Sequence, residues 1–309
     1  MTPHVSIITP SFNQAAFVER TIQSVLSQDV DGLEYVVMDG GSTDGTLEVL
    51  QRYTSRLRWR SGPDGGHSDA VNRGFQASTG AVIGWLNSDD LYEPGAVRAA
   101  LEFLAEHPDV DVVYGDANHI DADDRVIERY PTEPWNQARL AEVCFISQPA
   151  TFFRRRVVER YGGLDTGYRY GIDYEFWLRL AGRGARFAYL PRLLAATRLH
   201  PAAATLAQRV ACHAANNSLT RRHLGRTPDR WLFQYAHAVL EEDGLDQWPR
   251  PLSSVAFAGV SLYAACRWNR AVSADMLGKL VRWTVADTAR GLAGVPRLSP
   301  KRPDRLQER

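Results

Sequence analysis

The chain of 309 residues is 44% apolar and 23% charged, the balance of a water-soluble globular protein. Its 36 basic and 36 acidic residues cancel, which argues against nucleic-acid binding driven by bulk charge. Nearly all the basic residues are arginine; the lysines are Lys279 and Lys301, which excludes Schiff-base chemistry and a phosphate-loop lysine from the first 278 residues.

From Met1 the chain runs straight into Val5–Thr9, an apolar run read as a strand, without the basic flank of a secretory signal. Tyr35–Met38, Leu57–Arg60, Ala81–Leu86 and Val110–Tyr114 read as further strands. Ala15–Gln28, Thr46–Tyr53, Ser68–Ala77 and Pro94–Glu106 read as amphipathic helices between them, with Pro94 suited to a first helical turn. Strand and helix alternating at this spacing predict right-handed βαβ units and a mostly parallel sheet. A hairpin is expected around Asp121–Asp124. It is followed by a strand at Thr151–Phe153, a helix at Arg154–Tyr161, a Gly-rich loop at Gly162–Gly171, a helix at Asp173–Gly182 and two short strands. From about Ala202 the pattern is helical, and the Pro-rich basic segment from Arg297 is expected to be disordered. Cys144, Cys212 and Cys266 form no CxxC pair, so neither a zinc ribbon nor a disulfide framework is expected.

Ligands of parallel sheets collect at the carboxyl ends of the strands. Four such ends here are polar: Thr9–Asn13, Asp39–Thr46, Ser61–Asp69 and Asn87–Asp90. As local structure, Gly40, Gly41, Thr43 and Asp44 make a strand-to-helix turn with a helix cap. Asp39 sits where a carboxylate can accept hydrogen bonds from a base or a ribose. Thr46 stands where a phosphate loop requires lysine, and no GxGxxG follows any strand. Asp89 and Asp90 are adjacent carboxylates after an apolar strand. Either one caps the next helix, or a divalent cation such as Mg²⁺ or Mn²⁺ relieves their repulsion and lost solvation. Asp173, at a helix start, is either a cap or a general base facing the crevice. His200, after an apolar run, and His67, in a turn, are weaker ligand candidates.

In this order, the segments Val5–Asn13, Asp39–Thr46, Asp69–Asn72, Trp85–Asp90, Gln148–Phe153, Gly162–Asp165, Asp173–Arg179 and Arg198–His200 resemble family 2 glycosyltransferases over roughly residues 4–205. The resemblance implies a GT-A fold, a Rossmann-like α/β nucleotide-binding sheet flanked by helices, over residues 1–204. A helical region over 205–296 and the tail 297–309 would follow it. It also implies an inverting transferase that uses a nucleotide-sugar donor and a divalent cation (Mn²⁺ or Mg²⁺). By similarity Thr9, Pro10 and Asn13 line the nucleotide pocket and Asp39 holds the base. Asp69 and Asn72 touch the nucleotide or sugar, and Asp89 lies near the ribose or diphosphate. Asp90 binds the metal, His200 contacts metal or diphosphate, and Asp173 is the catalytic base. Asn87 stands where the family's motif often begins with Asp, and Ile172 where a glutamate often precedes the base. Glu175 is expected on another helix face.

The acceptor is expected to be a saccharide or a lipid-linked molecule, in cell-surface polysaccharide or glycoconjugate synthesis. The alternatives are a silent binding protein on the same fold, or a nucleotidyltransferase, which would want a Gly- and basic-rich loop where Ser11-Phe12-Asn13 stands. The helices around Trp231–Leu240 and Leu277–Ala289 carry interspersed arginines. They are expected to pack on the catalytic domain or on a second subunit in a homodimer, with a peripheral contact to the inner face of the membrane as the alternative. Val255–Cys266 falls short of the ~20 apolar residues that span a bilayer, and a cytoplasmic protein is expected.

Overall fold

The computed structural model describes residues 4–200 and 207–293. They contain one nine-stranded sheet, in the order β3-β2-β1-β4-β8-β6-β9-β5, with β7 paired to β6. The strands are β1 (Val5–Ser11), β2 (Leu33–Asp39), β3 (Arg58–Ser61), β4 (Val82–Trp85), β5 (Leu91–Tyr92), β6 (Val112–Ile120), β7 (Val126–Arg129), β8 (Thr151–Arg154) and β9 (Phe187–Arg198). The β3-β2-β1-β4 half is parallel throughout, as the alternating pattern predicted. Beyond it the sheet is mixed. β8 lies antiparallel between β4 and β6, while β6 and β9 are parallel. Periodicity marks strands but not their partners, so this insertion was not foreseen.

Helices α1 (Val18–Leu26), α2 (Thr46–Arg52), α3 (His67–Ala77) and α4 (Ala96–Glu106) connect the first strands. Val18, Ile22 and Val25 of α1 recur at helical spacing and are fully buried beside Ile7, Val37 and Val97. Each such burial stabilises by roughly 1.5–3 kcal/mol before entropy is counted. α1 starts three residues later than expected. The N–H groups of Asn13, Gln14 and Ala15 are taken by Ser42 Oγ, Thr46 Oγ1 and Asp44 Oδ2, at 2.7, 2.9 and 3.0 Å. α4 likewise starts after Pro94, at Ala96, because Gly95 adopts a left-handed conformation with φ +76°. The hairpin expected at Asp121–Asp124 joins β6 to β7. The two short strands expected before Leu199 are one strand, β9, whose register on β6 shifts on both sides of the Asp116–Leu193 pair, skipping Pro191, Arg192 and Leu194.

α5 (Gln137–Glu142), a 3₁₀ turn at Gln148–Ala150, α6 (Arg155–Tyr161), α7 (Ile172–Gly182) and α8 (Arg209–Leu224) complete the first of two compact units, Met1–Gly225. The second, Arg226–Arg309, contains helices Asp229–Glu242, Leu252–Asn269 and Ala274–Leu292. Within it Phe233 packs on Phe257 and Trp283, and Tyr235 on Trp268. The tail 297–309, expected to be disordered, lies outside the described residues.

Gly84 sits where β1, β5 and β8 crowd β4. An added Cβ would lie 2.5 Å from Tyr92 Oη, 2.7 Å from Ile7 Cδ1 and 3.0 Å from Phe152 Cε1. Gly84→Ala is therefore expected to destabilise the fold by about 1–3 kcal/mol. A lower urea midpoint with an unchanged slope would register that loss.

Candidate functional site

At the ends of β1 and β2 the polar side chains bind one another. Asp39, buried, accepts from Gly41 N at 3.0 Å, Ser42 N at 2.9 Å and Ser61 Oγ at 2.6 Å through Oδ2, and from Ser42 Oγ through Oδ1. One lone-pair direction on Oδ1 is left for a further donor. Asn13 accepts from Thr43 N at 2.9 Å and itself adopts φ +52°. Asp44 Oδ1 accepts from Thr46 N at 3.1 Å and so orders the turn, but the cap position of α2, expected at Thr43 or Asp44, is Gly45 at φ +99°, because the left-handed bend before Thr46 suits glycine. Thr9 is fully buried and bonds Tyr35 Oη at 3.1 Å; Pro10 is buried beside it.

At the start of α3, Asp69 accepts from Gly65 N at 2.8 Å and pairs with Arg73 at 2.7 Å. Asn72 uses both ends of its amide on one residue: Nδ2 donates to Leu164 O at 2.9 Å, and Oδ1 accepts from Leu164 N at 2.8 Å. This clamp needs Gly163, where a Cβ would lie 2.2 Å from Asn72 Oδ1. The His67 ring lies 5.6 Å from Trp85 and within the field of Asp89 and Asp64.

The turn after β4 is built around Arg198, the last residue of β9, whose side chain is completely buried. Its N–H donates to Asp90 Oδ1 at 2.9 Å. Its guanidinium donates to Asp89 O at 2.8 Å and Asp121 O at 2.7 Å, and pairs with Asp124 of the hairpin. Phe17 lies beneath it, 4.9 Å from ring centre to guanidinium carbon. Asn87 Nδ2 reaches Asp90 Oδ2 at 3.3 Å and Gln148 Oε1 at 3.0 Å. Burial and the adjacent Asp89 hold the Asp90 carboxyl well above the usual carboxylate range. His200 Nε2 lies 3.0 Å from Asp89 Oδ2, so the imidazole meets Asp89 directly. Hard oxygens plus one imidazole are a donor set that suits Mg²⁺ or Mn²⁺, and a cation would relieve the Asp89–Asp90 repulsion. Among the described residues no three or more His, Cys, Asp and Glu side chains form a metal cage, so such an ion would complete its shell from phosphate and water.

Asp173 is half-buried in the first turn of α7, after Gly171 at φ +65°. Burial raises its pKa, against the helix-start N–H groups that lower it. Cys144, Cys212 and Tyr130 all lie within its field, and burial pushes all three pKa values up. Glu175 turns elsewhere, as expected: it is buried against Arg179 at 2.8 Å and His223 at 3.1 Å. Cys144 lies within the field of Asp173, and Gln148, four residues on, holds Asn87. Four residues span at most ~14 Å, so one short strip of chain joins the surroundings of Asp173 to the acidic turn.

Two residues not singled out from the sequence stand out. Phe12 is 60% exposed at the end of β1, over Gly40 and beside Asp64. Arg198 organises the acidic turn. A large aromatic directly after an apolar strand and an arginine ending another were the available signals.

The Glycosyl transferase family 2 model matches residues 6–162. Chondroitin synthase of Pasteurella multocida is 30% identical over 194 residues, 62% of this chain, which spans 20% of that protein's length. A PGL/p-HBAD biosynthesis glycosyltransferase of Mycobacterium tuberculosis is 34% identical over 186 residues, 57% of this chain and 69% of that one. Among solved structures, S. aureus TarS 1-349 in complex with UDP-GlcNAc aligns with TM-score 0.62 and 16% identity over 93% of this chain and 88% of that one. Mannosyltransferase PcManGT from Pyrobaculum calidifontis, in complex with GDP-Man and Mn²⁺, aligns with TM-score 0.57 and 18% identity, covering 96% and 89% of the two chains. The fold is GT-A, with a curled central sheet between helices and further helices at the C-terminal end.

Arg198→Met keeps the stem but removes the guanidinium donors to the Asp89 and Asp121 carbonyls and leaves Asp124 with Arg20 as its ion-pair partner. A loss of about 1–3 kcal/mol in denaturant unfolding is expected, with Arg198→Lys intermediate.

Proposed function

Because the chain belongs to glycosyl transferase family 2, we propose that it moves a sugar from a nucleotide-sugar donor to an acceptor hydroxyl with inversion at the anomeric carbon. The observation that carries this reading is Asp173: a carboxylate at a helix start, raised in pKa by burial, and joined by residues 144–148 to the acidic turn. The acceptor oxygen attacks the anomeric carbon and gives its proton to Asp173, while the carbon–oxygen bond to the diphosphate breaks and its electron pair leaves with the phosphate oxygen. One displacement suffices, so no second carboxylate nucleophile is needed. Phe12 offers a face to the base, and the remaining lone pair of Asp39 Oδ1 can accept from it. Asp90 and His200 would hold the divalent cation, with Asp89 near the ribose or diphosphate. When bound, the cation would stabilise charge on the leaving diphosphate as a Lewis acid. Asp69 and Asn72 act here chiefly by ordering the loops at Gly65 and Leu164.

Similarity to a chondroitin synthase and a PGL/p-HBAD glycosyltransferase supports a role in polysaccharide or glycoconjugate assembly, with a saccharide or lipid-linked acceptor. A silent scaffold is disfavoured because Asp39, Asp89, Asp90 and Asp173 are all present. Ser11-Phe12-Asn13 lacks the basic phosphate loop of a nucleotidyltransferase.

Asp173→Asn is expected to lower transfer by at least about 10²-fold while nucleotide-sugar binding, read by calorimetry, is retained. Wild-type kcat is expected to fall on acidification at a pH above the ordinary carboxylate range, because the base must be ionised. A pKa raised by folding means that the native state binds the proton more tightly than the unfolded chain. Stability from this group is thus present at low pH and lost as pH rises through the raised value. The asparagine variant should therefore melt higher than wild type at neutral pH. Separately, a chelator is expected to abolish transfer and Mn²⁺ or Mg²⁺ to restore it; an enzyme indifferent to chelation would remove the cation from the scheme.

A further inference from the structure

Of the eleven large apolar side chains exposed among the described residues, eight lie between Trp248 and Val285, in the second unit. Helix Leu252–Asn269 turns Phe257 and Trp268 onto helix Asp229–Glu242, and Ala274–Leu292 turns Trp283 onto the same helix. The opposite faces carry Leu252, Val255 and Tyr263 on one helix, and Leu277, Val281 and Val285 at i, i+4, i+8 on the other. Val255, Val281 and Val285 are 56%, 62% and 63% exposed. A helix apolar on every side is ordinarily buried on every side; Leu252–Asn269 is covered on one. Neither helix is long and apolar enough to cross a membrane.

The charges of these two helices and their approach are mostly basic. Between Trp248 and Leu292 the basic residues are Arg250, Arg267, Arg270, Lys279, Arg282 and Arg290, against the acids Asp275 and Asp287, the latter beside Arg250 and Arg290 at 3.7 and 3.6 Å. Asp275 is taken by Lys279 at 2.6 Å. Among the described residues no carboxylate pairs with Arg267, Arg270 or Arg282. The sequence beyond, 294–309, adds five basic residues against two acidic ones. A second copy of this surface would set these arginines against themselves, whereas anionic headgroups neutralise them while acyl chains cover the valines and leucines.

We propose that the outer face of helices Leu252–Asn269 and Ala274–Leu292 lies in the plane of an anionic lipid surface. Nothing in this face depends on the chemistry assigned to Asp90 or Asp173. The test is co-sedimentation of the full chain with phosphatidylcholine vesicles, with and without phosphatidylglycerol. Binding is expected to the anionic vesicles only, weakening as salt is raised. R267Q/R270Q/R282Q is expected to reduce partitioning at least about tenfold, and V281D/V285D comparably, with the circular-dichroism melting of both variants showing that they fold. Equal binding to neutral and anionic vesicles, or no loss in either folded variant, overturns the proposal. A wild-type dimer by light scattering that V281D/V285D makes monomeric, without vesicle binding, also overturns it and assigns the face to self-association.

Discussion

One buried guanidinium holds the acidic turn in place. Arg198 ends β9, a strand that lies at the far side of the sheet from β1, and its N–H and guanidinium fix Asp90, the Asp89 carbonyl and the hairpin between β6 and β7. Burying such a charge is costly unless its donors are occupied, and here Nε and Nη1 are met while Nη2 finds no partner among the described residues. Here the cost is offset by a carboxylate, two carbonyls and an aromatic face. The turn also presents two neighbouring carboxylates under mutual repulsion, one of them deeply buried. That rigid support holds the two carboxylates side by side against their repulsion.

Much of this was legible in the sequence. The alternation of Val5–Thr9, Ala15–Gln28 and Tyr35–Met38 located the parallel half of the sheet, because side-chain period reports directly on strand or helix. The antiparallel insertion of β8 was not legible, since nothing in Thr151–Phe153 encodes which edge it will find. Helix starts were displaced where a second loop captured the backbone N–H groups, as at Asn13–Ala15. Such long-range capture leaves no local mark.

The rim residues divide in the same way. Asp39, Asp89, Asp90 and Asp173 were legible as carboxylates at strand or helix ends, and the fold sets each at such an end. What spacing could not supply was how much of each side chain is already in use. Thr9 faces Tyr35, Asn13 ties two loops, and Asn72 reads the peptide group of Leu164. Residues whose chemistry suits a ligand equally suit a neighbouring loop, and partner choice is a property of the folded chain.

The Asn72 clamp has a mechanical corollary. Because one carboxamide grips both the N–H and the C=O of Leu164, that residue cannot shift by even one position without losing both bonds together. The stretch from Asp165 to Tyr170 is then a tether of fixed origin, running from the residue held by α3 to Gly171 at the start of α7. Insertions should be tolerated along the tether and not at its point of attachment, so natural length variation would alter the reach of the tether while leaving its anchor where it is.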